Sequence, residues 1–138
     1  MAAVTVTAAL VGLVDPLKAK VKTYIAAEAI TAGQPVFVDT NGKVQLADAN
    51  AAGEYQFRGI ALKTVGLGSA VDVLQEGEMY GATLSGNYDS LVYVANAVGT
   101  LDDGVGGVTI PVGRVAPLAD KDLTKVLHVF TAWEVVWA

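Results

Sequence analysis

The chain of 138 residues has no cysteine and only one histidine, His128. Without cysteine there can be no disulfide framework, thiolate zinc site or cysteine nucleophile. A single histidine needs carboxylate partners to hold a metal, and none lies at ligand spacing along its own segment, KVLHVF. Charge is also scarce. Charged residues make up 17% of the chain, against about 25% in an ordinary soluble domain. The formal charge sums to −5, whereas a nucleic-acid-binding domain clusters Lys and Arg on one face. Long apolar runs are missing as well. Ala8 to Val14 falls far short of the roughly 20 residues that span a bilayer. No basic segment precedes it, and Asp15-Pro16 stands where a signal peptide would have its small-residue cleavage site. Neither a membrane nor a nucleic-acid partner is therefore expected.

Strand and turn formers are abundant: 22 valines, 11 threonines and 15 glycines. Val and Thr fit a pleated, half-buried surface, and Gly supplies tight turns. The length suits one hydrophobic core. So little charge on a small domain implies that other subunits cover much of its surface. Short alternating segments recur every 8–12 residues, which is the signature of a sandwich or barrel. They are PVFV, KVQL, FRGIALKTV, VDVLQ, MYGATL, LVYVA, VTIPVGRVA and KVLHVFTAWEVVWA. Asn41-Gly42 predicts a two-residue type I′ hairpin. Helix should be scarce, with a turn or two in IAAEAI and ADKDLTKV. The fold expected is mainly β: one compact β-barrel or sandwich-like, β-tulip-like domain over residues 21–138, behind an extended N-terminal arm over 1–20. An internal echo relates PVFVDTNGKVQLA…FRGIA to LVYVANAVGTLDD…PVGRVA, about 56 residues on. Both read strand, turn, strand, loop, Gly-containing strand, as two related β-arms around one core would.

Catalytic chemistry finds no support. Gly66-Leu67-Gly68 lacks the third glycine of a dinucleotide loop, and Gly104–Gly107 lacks the Lys-Ser/Thr of a P-loop. The acidic pairs Glu76/Glu78, Asp102/Asp103 and Asp120/Asp122 do not follow the calcium-loop pattern. Strand ends and turns account for them. No catalytic residue, cofactor site or metal site is assigned.

The two ends of the chain point to partners. The first 14 residues carry no charge. Val4 and Val6 alternate with Thr5 and Thr7, and Leu10, Val11, Leu13 and Val14 follow. Such a segment can add as a strand to a partner's sheet. Asp15-Pro16 would end the pairing, and Lys18, Lys20 and Lys22 would share one side of the extended chain beyond it. The arm is expected to be mobile until bound. At the other end Phe130, Trp133, Val135 and Trp137 form an apolar terminus. Each tryptophan brings about 150–250 Å² of buryable surface, so these side chains are expected in the core or a subunit interface.

AITAGQPVFVDTNGKVQLADA…FRGIALKTVGLGSAVDVLQEGEMYG resembles the decoration (cement) proteins of tailed-bacteriophage capsids, a group similar to the phage lambda head decoration protein. The "AGQPV" lead-in to a strand-turn-strand, the "GIAL" strand, the short glycine turn and the "V-x-V…GE" strand carry the likeness. LVYVANAVGTLDD…IPVGRVA and VLHVF look like a second half of the same pattern, so that residues 20–131 are covered. The resemblance implies a non-enzymatic virion protein, made in the host cytoplasm. It would sit on the outside of the expanded head as a homotrimer and staple neighbouring major capsid subunits against the pressure of packaged DNA. The terminal WEVVWA departs from the pattern. Other readings remain open: a tail or head-fibre base component of the virion, or a small β-barrel enzyme or carrier domain. For a carrier the only candidate is Lys43 in its hairpin, which lacks a flanking Met.

Overall fold

The structure, a computed structural model, describes residues 3–49, 57–95, 97–103, 110–118 and 125–131. Its strands are β1 (Ala3–Val6), β2 (Gly12–Leu13), β3 (Lys20–Ile25), β4 (Pro35–Val38), β5 (Val44–Leu46) and β6 (Phe57–Ala61). They continue as β7 (Ala70–Tyr80), β8 (Ala82–Thr83), β9 (Leu91–Val94), β10 (Leu101–Asp102), β11 (Pro111–Pro117) and β12 (Lys125–Val129). Every pairing among them is antiparallel. The protein is mainly β, as its composition requires. Among the described residues, helix is confined to two 3-10 turns, Ala8–Leu10 and Pro16–Lys18.

The sheet runs β5-β4-β6-β7-β12-β11-β9-β10-β1-β8, with β2 and β3 also on β7. Its first eight strands read as a palindrome. β4 lies between β5 and β6, just as β9 lies between β10 and β11. β6 leads to β7, β11 leads to β12, and β7 pairs with β12 at the centre. This arrangement is the internal echo seen in the sequence. Even the irregularities match: the register shifts at Val36/Phe37 where β4 meets β6, and at Pro111/Gly113 where β11 meets β9.

The eleven-residue β7 is the spine of the domain. The sequence segment VDVLQ and the first two residues of MYGATL fall on this one strand rather than two. Its first half lies between β3 and β6, and its second half meets β2 and β12. Val71 and Val73 point into one hydrophobic cluster with Ala26, Ile30, Val36, Val44 and Ala61. Leu74 and Met79 point into a larger one with Phe57, Ile60, Val94, Leu101, Ile110, Leu127 and Val129. The single expected core is thus two: the adjacent residues Ile60/Ala61 and Val73/Leu74 face opposite layers, and register shifts along β6 and β7 bring Phe57 and Met79 to the larger one.

Local chemistry explains two further departures from expectation. IAAEAI does not form a helical turn. Ala26 and Ile30 are fully buried and bridge to Val44 and Val65, so burial on both flanks outweighs alanine's helix propensity. ADKDLTKV lies largely outside the described residues, and its last two residues begin β12. The hairpin at Asn41-Gly42 has a three-residue loop rather than a type I′ turn. Gly42 N–H donates to the Asp39 carbonyl (3.0 Å), Asp39 N–H donates to Lys43 O (2.8 Å), and only Gly42 takes positive φ (78°). This is a type I turn closed by a left-handed glycine. Asp39 selects it, because its carboxylate accepts from the N–H groups of Asn41 (2.9 Å) and Lys43 (3.0 Å) and from Gln45 Nε2 (2.8 Å).

The Gln45 hydrogen bond, followed by that from Lys43 N–H, holds the Asp39 carboxyl below the usual aspartate range. A lowered folded-state pKa stabilises the protein above the unfolded value, near 4, and that contribution is lost as pH falls through the folded value. The melting difference between wild type and Asp39→Asn should therefore be constant from pH 7 to about 5 and should shrink below about 4. A difference that stays unchanged down to pH 2.5 in thermal melts would show that the ionised carboxylate does not stabilise the turn.

Candidate functional site

The N-terminal residues expected to reach outward are folded inward. β1 pairs with β10 through Ala3↔Asp102 and Val4↔Leu101, and with β8 through Thr5↔Thr83 and Val6↔Ala82. Val4 is buried in the larger core; Val6, Val11 and Leu13 pack against it. Thr7 N–H donates to Gly81 O (2.9 Å), Val14 N–H donates to Glu78 O (3.0 Å), and β2 continues along β7. Thr5, Thr7 and Leu10 are exposed, and Val14 is half-buried. Residues 3–14 thus form a strap that joins β10 to β7 across the larger core. Here the structure corrects the expectation of a free arm. These main-chain groups already have partners inside the domain, and Val4 completes a core that would otherwise open at Leu101.

Past the strap, Asp15 caps the turn Pro16–Lys18 by accepting from Leu17 N–H (3.1 Å). The turn delivers the chain into β3. Five of the six β3 residues are exposed, and among the described residues the strand pairs with β7 alone. Lys18, Lys20 and Lys22 are all exposed, as the period-two spacing predicts for an open surface. Lys22 Nζ stands 5.2 Å from the Tyr24 ring centroid. The opposite face carries Val21 and Ile25, 40% and 42% exposed, with Thr23 between them donating to Asp72 Oδ1 (2.6 Å). Leu17, next to the strand in sequence, is 97% exposed. The lysine spacing in the sequence picks out Lys18, Lys20 and Lys22 but not Val21, Ile25 and Leu17. The signal was the K-x-K-V-K alternation itself, because lysine-studded strands occur at sheet edges.

The remaining candidates divide. Phe130 is half-buried and its N–H donates to Val112 O (3.0 Å), which extends β12 by one bond. Trp133, Val135 and Trp137 lie outside the described residues. His128 is exposed on β12, and its Nδ1 is 3.9 Å from Glu78 Oε2 on the neighbouring strand. Among the described residues no group of three His, Cys, Asp or Glu side chains is gathered for a metal ion, and no helix is long and apolar enough to cross a membrane. What the described surface offers is an open, lysine-bearing sheet edge with apolar side chains beside it, a geometry for binding another chain. The protein matches no family model, no curated protein and no solved structure.

Proposed function

We propose that this chain is a virion structural protein that binds the outer surface of an expanded phage head as a homotrimer and staples neighbouring major capsid subunits. The reading rests on one observation. The sequence blocks that resemble capsid decoration proteins occupy contiguous strands of a mainly β domain. AGQPVFVDTNGKVQL makes β4, its turn and β5; FRGIA makes β6; and VDVLQEGEMY fills β7. Low charge and exposed Leu17, Leu67 and Val98 favour a surface covered by other subunits. The acidic balance suits a protein facing away from packaged DNA. Its location would be the outside of the head, its partners the major capsid protein and two further copies of itself.

Three weak contacts made together gain avidity, because the second and third form at high effective concentration once the first is made. Each subunit pair should bury at least about 1,000 Å². Light scattering at micromolar concentration should give three times the chain mass, and the protein should cosediment with undecorated heads of the phage that encodes it. A single-chain mass at all concentrations, together with no cosedimentation, overturns the reading.

A further inference from the structure

We propose that the outer edge of β3 is a docking site for an extended segment of a partner protein in which acidic and apolar residues alternate. The inference rests on the capsid-surface reading only for the source of that segment, which would be the capsid subunit. The site itself follows from the geometry of β3.

Antiparallel pairing turns the main-chain groups of alternate residues toward and away from the neighbouring strand. Ala26 N–H donates to Ser69 O (2.9 Å), so the residues at even positions before it, Tyr24 and Lys22, bond toward β7. Leu62 N–H donates to Asp72 O (2.9 Å), which places the Asp72 main chain on the β6 side and agrees with this assignment. The N–H and C=O groups of Val21 and Thr23 therefore face outward. Within β3 the pairing is with β7 alone among the described residues, so the outward groups of Val21 and Thr23 are open; the edge is taken up only past Ile25, where Ala26 bridges Val44 and Ala27 N–H donates to Val44 O (2.9 Å). An open edge of this kind is a template for an added strand.

The side chains specify which strand. An incoming strand places each residue beside its opposite on the same face. On one face it would meet Lys20 and Lys22, and at the approach to the strand Lys18. No ion pair engages these three lysines among the described residues, although Glu76 stands opposite Lys20 in the register. They concentrate a third of the nine Lys and Arg of a chain whose net charge is −5. On the other face the incoming strand would meet Val21 and Ile25, both partly exposed. Acidic residues on one face and apolar residues on the other are the complement.

Pairing of two β3 edges with each other is disfavoured by the same pattern. Two β3 edges related by a two-fold axis present the same face to each other, so lysines would oppose lysines, and like charges directly opposite destabilise a pair. The lysines thus discriminate: they oppose self-pairing and favour an acidic strand.

The probe is a fluorescein-labelled peptide of alternating glutamate and valine, with an alternating lysine–valine peptide as control, titrated by anisotropy against the full-length protein. Saturable binding of the acidic peptide is expected, weakening as salt rises from 20 to 500 mM because exposed charges are screened. The K20E/K22E double variant should bind it at least tenfold more weakly and prefer the lysine peptide. Thr23→Pro should abolish binding of both, since it removes an outward N–H, yet it should still fold because proline is tolerated where an edge N–H faces solvent. Both variants should melt within a few degrees of wild type. Absence of saturable binding, or equal binding by the variants, overturns the proposal. So does a large loss of stability in K20E/K22E, which would mean that the chain's own residues cover the edge. Head cosedimentation of the wild-type protein reports separately on the capsid reading. Heads bound equally by wild type and K20E/K22E would leave that reading intact and remove this one.

Discussion

Deleting residues 2–14 should destabilise the domain by about 3–6 kcal/mol, a large share of the 5–15 kcal/mol that holds a typical domain together. A buried valine contributes about 1.5–3 kcal/mol, and Val4 is one, paired with the fully buried Leu101. Val6, Val11 and Leu13 add partial burial against the same core. Removing the strap also exposes what it covers, and it leaves β10 and β7 with unpaired edges on that side. The truncated chain recovers the entropy of ordering thirteen residues, which offsets part of the loss and sets the estimate well below the sum of the contacts. Urea unfolding followed by tryptophan fluorescence measures it. A free arm would leave the midpoint unchanged, and that result would exclude the strap. Val4→Ala, with an expected cost of about 1–3 kcal/mol, tests the same burial without shortening the chain.

Replacing Gly59 or Gly113 with alanine should cost about 3 kcal/mol each, at the upper end for overpacking a core. The two glycines hold matching places, Gly59 on β6 and Gly113 on β11, each beside a register shift. A Cβ on Gly59 would overlap the Leu74 carbonyl oxygen and the Val73 side chain, and φ there is +151°, a region that side chains rarely adopt. A Cβ on Gly113 would overlap the carbonyl oxygen of His128. In both cases the obstacle includes backbone of the adjacent strand, β7 or β12, which cannot rotate aside as a side chain would. The strands would have to separate, with loss of ladder hydrogen bonds next to the core. Urea midpoints check this for each variant alone. A cost below about 0.5 kcal/mol, the scale of a neutral surface substitution, would show that the close approach is not maintained in solution.

These two predictions differ in how far the residues announce them. The glycines could be read from the sequence, because FRGIA and PVGRVA sit at corresponding places in the echo. The topology shows why both halves keep glycine there. The strap could not be read that way. Val4, Thr5, Val6 and Thr7 alternate as any strand does, and alternation is equally consistent with pairing inside the domain or with a partner. The candidate docking edge was half legible. The spacing of Lys20 and Lys22 placed them together on one side of a strand, but nothing local said that this strand, rather than β1, would have a single strand neighbour among the described residues.

By itself the sequence determined that the chain is mainly β, where strands such as β4, β5 and β9 lie, and that two similar halves follow one another. Those properties depend on neighbours a few residues apart: side-chain alternation, β-branched residues, and turn chemistry such as Asp39 with Gly42. Only the tertiary structure decided that β7 runs as one spine between two cores, that the N-terminal strap closes the larger core, and that β3 keeps an open edge among the described residues. Each of these depends on which distant strand claims a given row of N–H and C=O groups. All backbones present the same groups, so the choice falls to the fit of buried side chains such as Val4, Leu74 and Leu101, which meet only when the whole sheet has assembled.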